Sequence, residues 1–210
     1  KVHLVLSPRK KAILDAIVSH GNEPYDQTVR KDLDRSELRL VPDGLDLSVH
    51  VQETPGGVAD AISVALGDIE GDFLVLLGDN VLLSNSMEGH DYLAANTASL
   101  RMVEDYMANG TPCVGVVSVG SDMASLYGIA QVTDGSVVSI IEKPGKDDYR
   151  GDLALCGRYL FPKESSSILE GFSVEEHGEL QSIAFMLGLS ETHGLRAADP
   201  SDHSWYDSGN

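Results

Sequence analysis

Cysteine is scarce in this 210-residue chain, which contains only Cys113 and Cys156, each within an apolar segment. Two such thiols cannot build the disulfide framework of a small secreted domain. We therefore expect both to be buried thiols in a protein of the reducing cytoplasm. The chain also lacks any apolar run of 18 or more residues, so no part of it is predicted to span a membrane.

Basic residues are few as well. Lys and Arg together number 15 against 33 Asp and Glu, and the formal net charge at pH 7 is -18. Because an acidic surface repels nucleic acid and anionic membranes, we expect neither as a partner. A free nucleotide remains compatible with this charge, since a divalent cation and a few local positive charges can hold its phosphates.

No repeat, linker or low-complexity tract divides the chain, so we expect one domain over residues 1–210. In the first half, strand patterns alternate with helix patterns. The strand patterns fall at 2–7, 47–51, 73–77 and 113–119, and the helix patterns fall at 13–18, 58–69 and 93–107. The run 73–77 is apolar throughout, which is typical of a central parallel strand buried on both faces.

The second half has a different pattern. Short strands are predicted between 127 and 161, helices at 164–169 and 180–187, and strands at 194–198 and 203–207. Together the two halves predict a Rossmann-like, three-layer α/β/α domain with a mixed, mostly parallel sheet. The strand-loop-helix unit that normally opens such a sheet is not found before Lys1, and the chain stops at Asn210, so we expect the sequence to be incomplete at both ends.

An acidic residue follows the apolar run 73–77 directly, in the motif Gly78-Asp79-Asn80. A carboxylate just past the end of a buried strand points into the crevice where α/β enzymes bind their ligands. Its oxygens suit Mg²⁺, which prefers one or two carboxylates together with phosphate oxygens. The alternative interpretation of this motif is a strand-terminal Asx turn.

A second motif begins at Gln52, where a predicted strand ends and a Pro-Gly-Gly turn opens a helix. The amide of Gln52 offers both a donor and an acceptor, which suits the edge of a pyrimidine base. Gly57 carries no side chain where a flat base would lie. An ordinary connection between a strand and a helix would give the same pattern.

Two further motifs carry charge. Glu142 can accept hydrogen bonds from sugar hydroxyls, and the adjacent Lys143 offers a point charge to a phosphate, although such pairs are usually solvated surface. Asp207 follows an aromatic segment close to the end of the chain. It could meet Asp79 on one metal ion, but spacing alone does not establish this.

In their order along nearly the whole chain, these motifs resemble those of the sugar-nucleotide pyrophosphorylases, especially glucose-1-phosphate thymidylyl- and uridylyltransferases. The resemblance implies an enzyme that joins a nucleoside triphosphate (dTTP or UTP favoured) to a sugar 1-phosphate (glucose 1-phosphate favoured) and releases pyrophosphate. It also implies Mg²⁺ as cofactor and is compatible with a homo-oligomer.

The resemblance further implies roles for matching residues. The base would be contacted by Gln52, Pro55 and Gly57. Asp79 would contact the nucleotide, and Asp79 and Asp207 together would bind Mg²⁺. The sugar would be bound by Gly128, Glu142, Gly157 and Glu179, and its phosphate by Lys143. Asp79 and Lys143 would be the catalytic pair. The match is weaker at Glu179, because the Gln181-Ser182 that follows is less acidic than the family pattern.

One departure affects the implied activity. The glycine-rich, arginine-containing loop that this family uses to cradle the triphosphate has no match in the chain, and its place would precede Lys1. Two other interpretations therefore stay open. One is a catalytically silent regulatory subunit that binds a sugar nucleotide, and the other is a glycosyltransferase, which would be expected to carry Asp-x-Asp where Gly78-Asp79-Asn80 stands. Hydrolase motifs such as Gly-x-Ser-x-Gly and His-Glu-x-x-His are absent.

Overall fold

The structure, a computed structural model, describes residues 1–19, 44–85, 97–145, 148, 151, 153–171 and 182–209. By their contacts these residues divide into two units. Unit 1 contains the described residues up to Asp68, and unit 2 contains those from Ile69 onward. The single domain over 1–210 stays a prediction. None of the described helices is long and apolar enough to cross a membrane.

Unit 1 contains two strands and two helices. In chain order these are β1 (Val2–Leu6), α1 (Pro8–Ser19), β2 (Leu47–Val51) and α2 (Gly57–Leu66). The two strands are parallel, with Val2 opposite Leu47 and Leu6 opposite Val51. Helix α2 buries its apolar residues at helical spacing, namely Ala59, Ile62 and Ala65. The strands and the helix predicted for this region are thus confirmed, and the strand-to-helix turn after β2 begins at Gln52.

Unit 2 contains the remaining elements. In chain order these are β3 (Phe73–Leu76), β4 (Asn80–Ser84), α3 (Thr97–Asn109), β5 (Cys113–Ser118), β6 (Gly128–Thr133), β7 (Ser136–Glu142), β8 (Leu153–Phe161), α4 (Ser165–Glu170), α5 (Ser182–His193), β9 (Arg196–Ala198) and β10 (His203–Asp207). Six of the strands form one sheet in the order β3-β8-β5-β9-β7-β6, in which β8 also pairs with β6. Strands β4 and β10 pair separately.

The strand directions correct one expectation. The sheet is mixed, as predicted, but among the described strands only β1–β2 and β5–β9 pair in parallel. A mostly parallel sheet is therefore wrong for this part of the chain. A cause is visible at Asp134-Gly135, where both residues have positive φ (50° and 77°). Such a two-residue turn closes a tight hairpin, so it forces β6 and β7 to run antiparallel.

Strand β3 also differs from its prediction. It pairs antiparallel with β8, and its residues are half-buried up to Leu76, which is 54% exposed. The prediction of a parallel strand buried on both faces was wrong, because a continuous apolar run indicates hydrophobic content and not the direction of the partner strand.

The core of unit 2 is arranged around β8, a nine-residue strand that is buried along most of its length. Phe161 at its end contacts Phe185 of α5 edge to face, with ring centroids 5.0 Å apart. Helix α3 buries Met102 and Tyr106, and the Met102 carbonyl accepts a weak hydrogen bond from the Cys113 thiol of β5. This packing holds β8 in place, and β8 pairs with β3, β5 and β6 in the sheet.

Both cysteines are buried free thiols, as predicted. Burial is the main cause that raises the pKa of Cys113 to about 12, with a smaller contribution from the nearby Asp105. Burial likewise raises the pKa of Cys156 to about 12, although the positive charge of Arg158 opposes it. A thiol reacts with alkylating agents as the thiolate, so both groups are expected to be inert in the folded protein.

We predict that iodoacetamide at pH 8 modifies neither Cys113 nor Cys156 in the native protein and modifies both after denaturation in guanidinium. The measurement is mass spectrometry of the two cysteine peptides. Rapid native modification of either peptide would contradict the buried placement of that residue.

Candidate active site

The motif Gly78-Asp79-Asn80 joins β3 to β4. Asp79 is exposed at the turn, and Asn80 begins β4. The Asn80 side-chain amide donates to Asp79 Oδ1 at 2.8 Å, and its oxygen accepts from the Trp205 indole nitrogen, also at 2.8 Å. Asn80 therefore orients the Asp79 carboxylate and connects it to β10.

Strand β10 brings the second aspartate to the same place. It runs antiparallel to β4, and Asp207 is paired with Asn80 in the register. Beyond the strand, the Ser208 amide donates to the Asp79 carbonyl at 2.9 Å, and the Gly209 amide donates to Asp207 Oδ1 at 2.8 Å. The two acidic motifs, far apart in the chain, thus form one end of a strand pair.

Gly209 lies between the two carboxylates. A Cβ atom built on this glycine would lie 2.7 Å from Asp79 Oδ2 and 3.2 Å from Asp207 Oδ1. Both oxygens therefore face one small volume that only a residue without a side chain leaves free. No group of three or more His, Cys, Asp or Glu side chains suited to a metal occurs among the described residues. Two carboxylates completed by phosphate oxygens and water are the ligand set that Mg²⁺ prefers, so these residues fit that ion.

Gly157 lies against the turn that carries Asp79. It interrupts β8 with a positive φ of 69°, and its carbonyl accepts from the Leu77 amide at 3.0 Å. A Cβ on Gly157 would approach Asn80 Cγ to 2.9 Å and Leu77 Cβ to 3.0 Å. The role predicted for Gly157 is a sugar contact, and its observed contacts are with the Asp79 turn.

Arg158 is a residue that the sequence reasoning missed. Its guanidinium donates to the Asn80 carbonyl at 2.8 Å and to the Gly157 carbonyl at 3.1 Å. Its Nε is buried and has no hydrogen-bond partner in the part of the chain that the structure describes. Burial is the main cause that lowers the pKa of Arg158. The sequence feature that could have indicated this residue is an arginine inside the otherwise apolar segment Leu153–Phe161. A buried cation normally has a specific partner.

Tyr127-Gly128 and Glu142-Lys143 lie side by side at one end of β6 and β7. Gly128 is paired with Glu142 across β6 and β7, and a Cβ on Gly128 would lie 3.1 Å from Glu142 Oε2. The Lys143 amide donates to the Tyr127 carbonyl at 2.9 Å, and Lys143 itself has a φ of 44°. Both Glu142 and Lys143 are exposed. The hairpin of β6 and β7 therefore brings these sugar-phosphate candidates together.

Aromatic residues connect this group with the aspartates. The Tyr127 ring packs on Trp205, with centroids 4.8 Å apart. Burial first, and then the charge of Asp207, raises the pKa of Tyr127. Burial also raises the pKa of Tyr159, with additional contributions from Cys156, Glu142 and Asp79.

A cavity of about 450 Å³ lies beside this aromatic pair, within unit 2. Its walls include Tyr127, Trp205, Met123, Asp199 and Asp207. The volume suits a small-molecule ligand. Asp207 is the one predicted site residue among the cavity walls, whereas Asp79, Gly128, Glu142, Lys143 and Gly157 lie elsewhere in the unit.

The base-reading candidates lie in unit 1. The Gln52 backbone amide donates to the Leu6 carbonyl at 2.9 Å, so the residue continues the β1–β2 ladder. Its side-chain amide donates to the Gly57 carbonyl at 3.1 Å and to Asp60 Oδ2 at 2.6 Å. Pro55 and Gly57 are exposed, and Gly57 has a φ of 85°. Asp60 was not predicted as a site residue. The feature that could have indicated it is a carboxylate in the first turn of an apolar helix.

Glu179, the last of the sugar-subsite candidates, lies outside the described residues, as do its neighbours Gly178 and Leu180. Its role stays a prediction.

Residues 3–210 match the sequence model of a family described as Nucleotidyl transferase. The chain belongs to this family. The resemblance to the sugar-nucleotide pyrophosphorylases, inferred from the order of the motifs, is thereby confirmed.

Several relatives are similar to this protein over most of the chain. The UTP–glucose-1-phosphate uridylyltransferase of Streptococcus pneumoniae serotype 4 is 29% identical over 205 residues, covering 93% of this chain and 66% of that protein. UTP–glucose-1-phosphate uridylyltransferase 2 of Streptococcus pyogenes serotype M3 is 29% identical over 210 residues, covering 95% and 67% respectively. The chain therefore spans about two thirds of the length of these curated relatives.

A solved structure supports the fold class. A UDP-glucose pyrophosphorylase from Acinetobacter baumannii has a TM-score of 0.73 to this chain at 22% identity, covering 98% of this chain and 71% of that one. The predicted Rossmann-like α/β class with a mixed sheet is confirmed by this likeness.

We predict that Gly157→Ala destabilises the protein more than Gly135→Ala does. Both glycines have positive φ (69° and 77°), so alanine strains the backbone of each by about 1 kcal/mol. Only at Gly157 would the new methyl also meet Asn80 and Leu77, whereas nothing lies within 4 Å at Gly135. Urea unfolding of the two variants measures the difference, for which we expect roughly 1–3 kcal/mol. Equal losses of stability would show that Gly157 is not packed against the Asp79 turn.

Proposed function

We propose that the protein is a sugar-1-phosphate nucleotidylyltransferase that joins a nucleoside triphosphate to a sugar 1-phosphate and releases pyrophosphate. The observation that carries this proposal is the convergence of Asp79 and Asp207 over Gly209, in a chain of the Nucleotidyl transferase family. The names of the curated relatives favour UTP and glucose 1-phosphate, and dTTP is the alternative nucleotide.

We assign base recognition to Gln52, with Pro55 and Gly57 at the face of the base. A uracil or thymine base presents the N3–H donor between two carbonyl acceptors, and a side-chain amide can match this edge. The positive φ and missing side chain of Gly57 give the main chain an open surface at the start of α2. These features support selection of a pyrimidine.

We assign metal binding to Asp79 and Asp207. Mg²⁺ held there would neutralise negative charge on the triphosphate and on the pyrophosphate that leaves. Asn80 keeps the Asp79 carboxylate oriented, because its amide donates to one carboxylate oxygen while its own oxygen is held by Trp205. The Arg158 guanidinium supports the Asn80 carbonyl from β8, so we assign it a positioning role.

We assign the sugar 1-phosphate to Gly128, Glu142 and Gly157, with Lys143 at the phosphate and Glu179 as a further sugar contact. Glu142 would accept hydrogen bonds from sugar hydroxyls across from Gly128, where a side chain would crowd its carboxylate. The Lys143 ammonium would offset the repulsion between the two anionic substrates. The hydrogen bond from the Lys143 amide to Tyr127 fixes the main chain from which this side chain extends.

The reaction is an in-line displacement at phosphorus. An oxygen of the sugar phosphate attacks the α-phosphorus, a new P–O bond forms, and the bond to the bridging α–β oxygen breaks with loss of pyrophosphate. The attacking phosphate is ionised near neutral pH, so no general base is needed. The contribution of the protein is to position the two substrates and to offset their charge. Asp79 and Lys143 carry the largest share of this work.

We also propose that the protein acts in the cytoplasm on free nucleotide and sugar phosphate. The net charge of -18 supports this choice of partners, because such a surface disfavours nucleic acid and anionic membranes. A homo-oligomer is compatible with the family resemblance.

The decisive experiment is an assay of pyrophosphate release by the full-length protein with Mg²⁺ and glucose 1-phosphate. UTP, dTTP, CTP, ATP and GTP are offered separately, at low and at molar salt. We expect release that requires both substrates and is fastest with UTP or dTTP. Binding of a sugar nucleotide without any release, across several sugar phosphates, would favour a regulatory subunit instead. Transfer of the sugar from a sugar nucleotide would favour a glycosyltransferase.

We predict that Asp79→Asn lowers kcat by about a hundredfold or more while folding is kept, because one charged metal ligand is lost. Steady-state kinetics over a Mg²⁺ series and a thermal unfolding curve measure the two effects. Glu104→Gln, on the exposed face of α3, is the matched control and should leave kcat unchanged. An Asp79→Asn variant with normal kcat and normal Mg²⁺ dependence would remove Asp79 from the metal site.

A further inference from the structure

The Gln52 side chain is fixed by two acceptors at the start of α2. Its Nε2 donates to Asp60 Oδ2 at 2.6 Å and to the Gly57 carbonyl at 3.1 Å. An amide has two donors and one acceptor group on opposite branches, so the position of Nε2 also determines the direction of Oε1. The two contacts therefore decide which edge of the amide a ligand meets.

Asp60 favours only one of the two orientations of the Gln52 side-chain amide. A carboxylate only accepts hydrogen bonds, so it cannot pair with Oε1, and a flipped Gln52 would place two oxygens against each other. The Gly57 carbonyl acts in the same direction but is a neutral acceptor. Hydrogen bonds to an ionised group are roughly twice as strong as neutral ones, so Asp60 is the larger contribution.

Asp60 is itself held in place by the start of the helix. It lies in the first turn of α2, where the partial positive charge of the helix N-terminus favours a carboxylate. Gly56 is buried against it, and a Cβ on Gly56 would lie 2.7 Å from both Cγ and Oδ2 of Asp60. The loop between β2 and α2 thus has a glycine at the position where any side chain would displace Asp60.

We propose that Asp60 is a specificity-determining residue, which selects pyrimidines with an N3–H donor by locking the Gln52 amide. With Nε2 held by Asp60, Oε1 is the group left to meet the base. It can accept from N3–H of uracil or thymine, whereas N3 of cytosine is an acceptor and would repel it. This inference rests on the proposed function, in which Gln52 reads the base, and adds how the reading is directed.

Asp60 acts through Gln52 and does not touch the reacting atoms, so it is a positioning residue. Its effect should appear as a change in the choice between two nucleotides. Loss of a merely structural contact would instead weaken both nucleotides by the same factor. UTP and CTP are the suitable pair, because their bases differ only at N3 and the exocyclic group on C4.

The test compares wild type and Asp60→Asn in the full-length protein. Asparagine has the same shape, but it can either accept from or donate to Gln52, so only the neutral Gly57 carbonyl still opposes a flip of the amide. We expect the ratio of kcat/KM for UTP to that for CTP to fall about tenfold. Equilibrium binding of UTP and CTP, measured by calorimetry without sugar phosphate, should show the same fall in ratio.

Further variants serve as controls for this comparison. Asp15→Asn changes an exposed helix aspartate of unit 1, which pairs with Lys11, and should leave the UTP-to-CTP ratio unchanged. Gly56→Ala should lower the ratio as Asp60→Asn does, because its methyl displaces the carboxylate. In an Asp60→Gly background, Gly56→Ala should have no further effect on the ratio, since both the carboxylate and the Cβ that its methyl would meet are gone.

The outcomes separate the two proposals. If wild type prefers UTP and Asp60→Asn keeps the full preference, the role of Asp60 is overturned while the proposed function stands. An equal loss for both nucleotides would also overturn it and leave Asp60 a structural residue. If wild type binds neither nucleotide, the proposed function fails, and the role of Asp60 fails with it.

Discussion

The backbone hydrogen bonds between β4 and β10 hold the two acidic motifs in one place. Their register sets Asp207 opposite Asn80, the neighbour of Asp79, and the Trp205 indole bonds across the same pair. Because side chains alternate along a strand, a slip of one residue would turn Asp207 to the other face and separate the carboxylates. The bond from the Ser208 amide to the Asp79 carbonyl continues this pairing beyond the end of β10.

The two aspartates place two negative charges at the same end of the β4–β10 pair. Two carboxylates that face one small volume repel each other. Because the net charge of the protein is -18, the remaining residues do not offset this repulsion. A divalent cation removes that repulsion locally and at the same time attracts a triphosphate. The acidic surface and the proposed nucleotide ligand are therefore compatible, because a metal bound there would invert the local sign of the charge that the phosphates meet.

Several glycines of the site are needed for space. Gly209 leaves room between the carboxylates, Gly157 lets β8 approach the Asp79 turn, and Gly128 clears the Glu142 carboxylate. In unit 1, Gly56 does the same for Asp60. Charged side chains in crowded surroundings are thus oriented by neighbours that lack a side chain. Arg158 and Asp60 both lie inside apolar elements, and each makes a hydrogen bond to a specific partner, Arg158 to the Asn80 carbonyl and Asp60 to the Gln52 amide.

The residue pattern was enough to infer the α/β class, most strands and helices, the buried thiols and the family, because burial periodicity and short motifs are recorded along the chain. The folded structure was needed to find the antiparallel pairing of β3, the contact of Gly157 with the Asp79 turn, and the convergence of Asp79 with Asp207. These depend on contacts between segments as much as 129 positions apart, as from Ser208 to Asp79. Strand direction and register follow from turns and from the packing of partner strands, and a residue pattern within one segment carries no information about its partner.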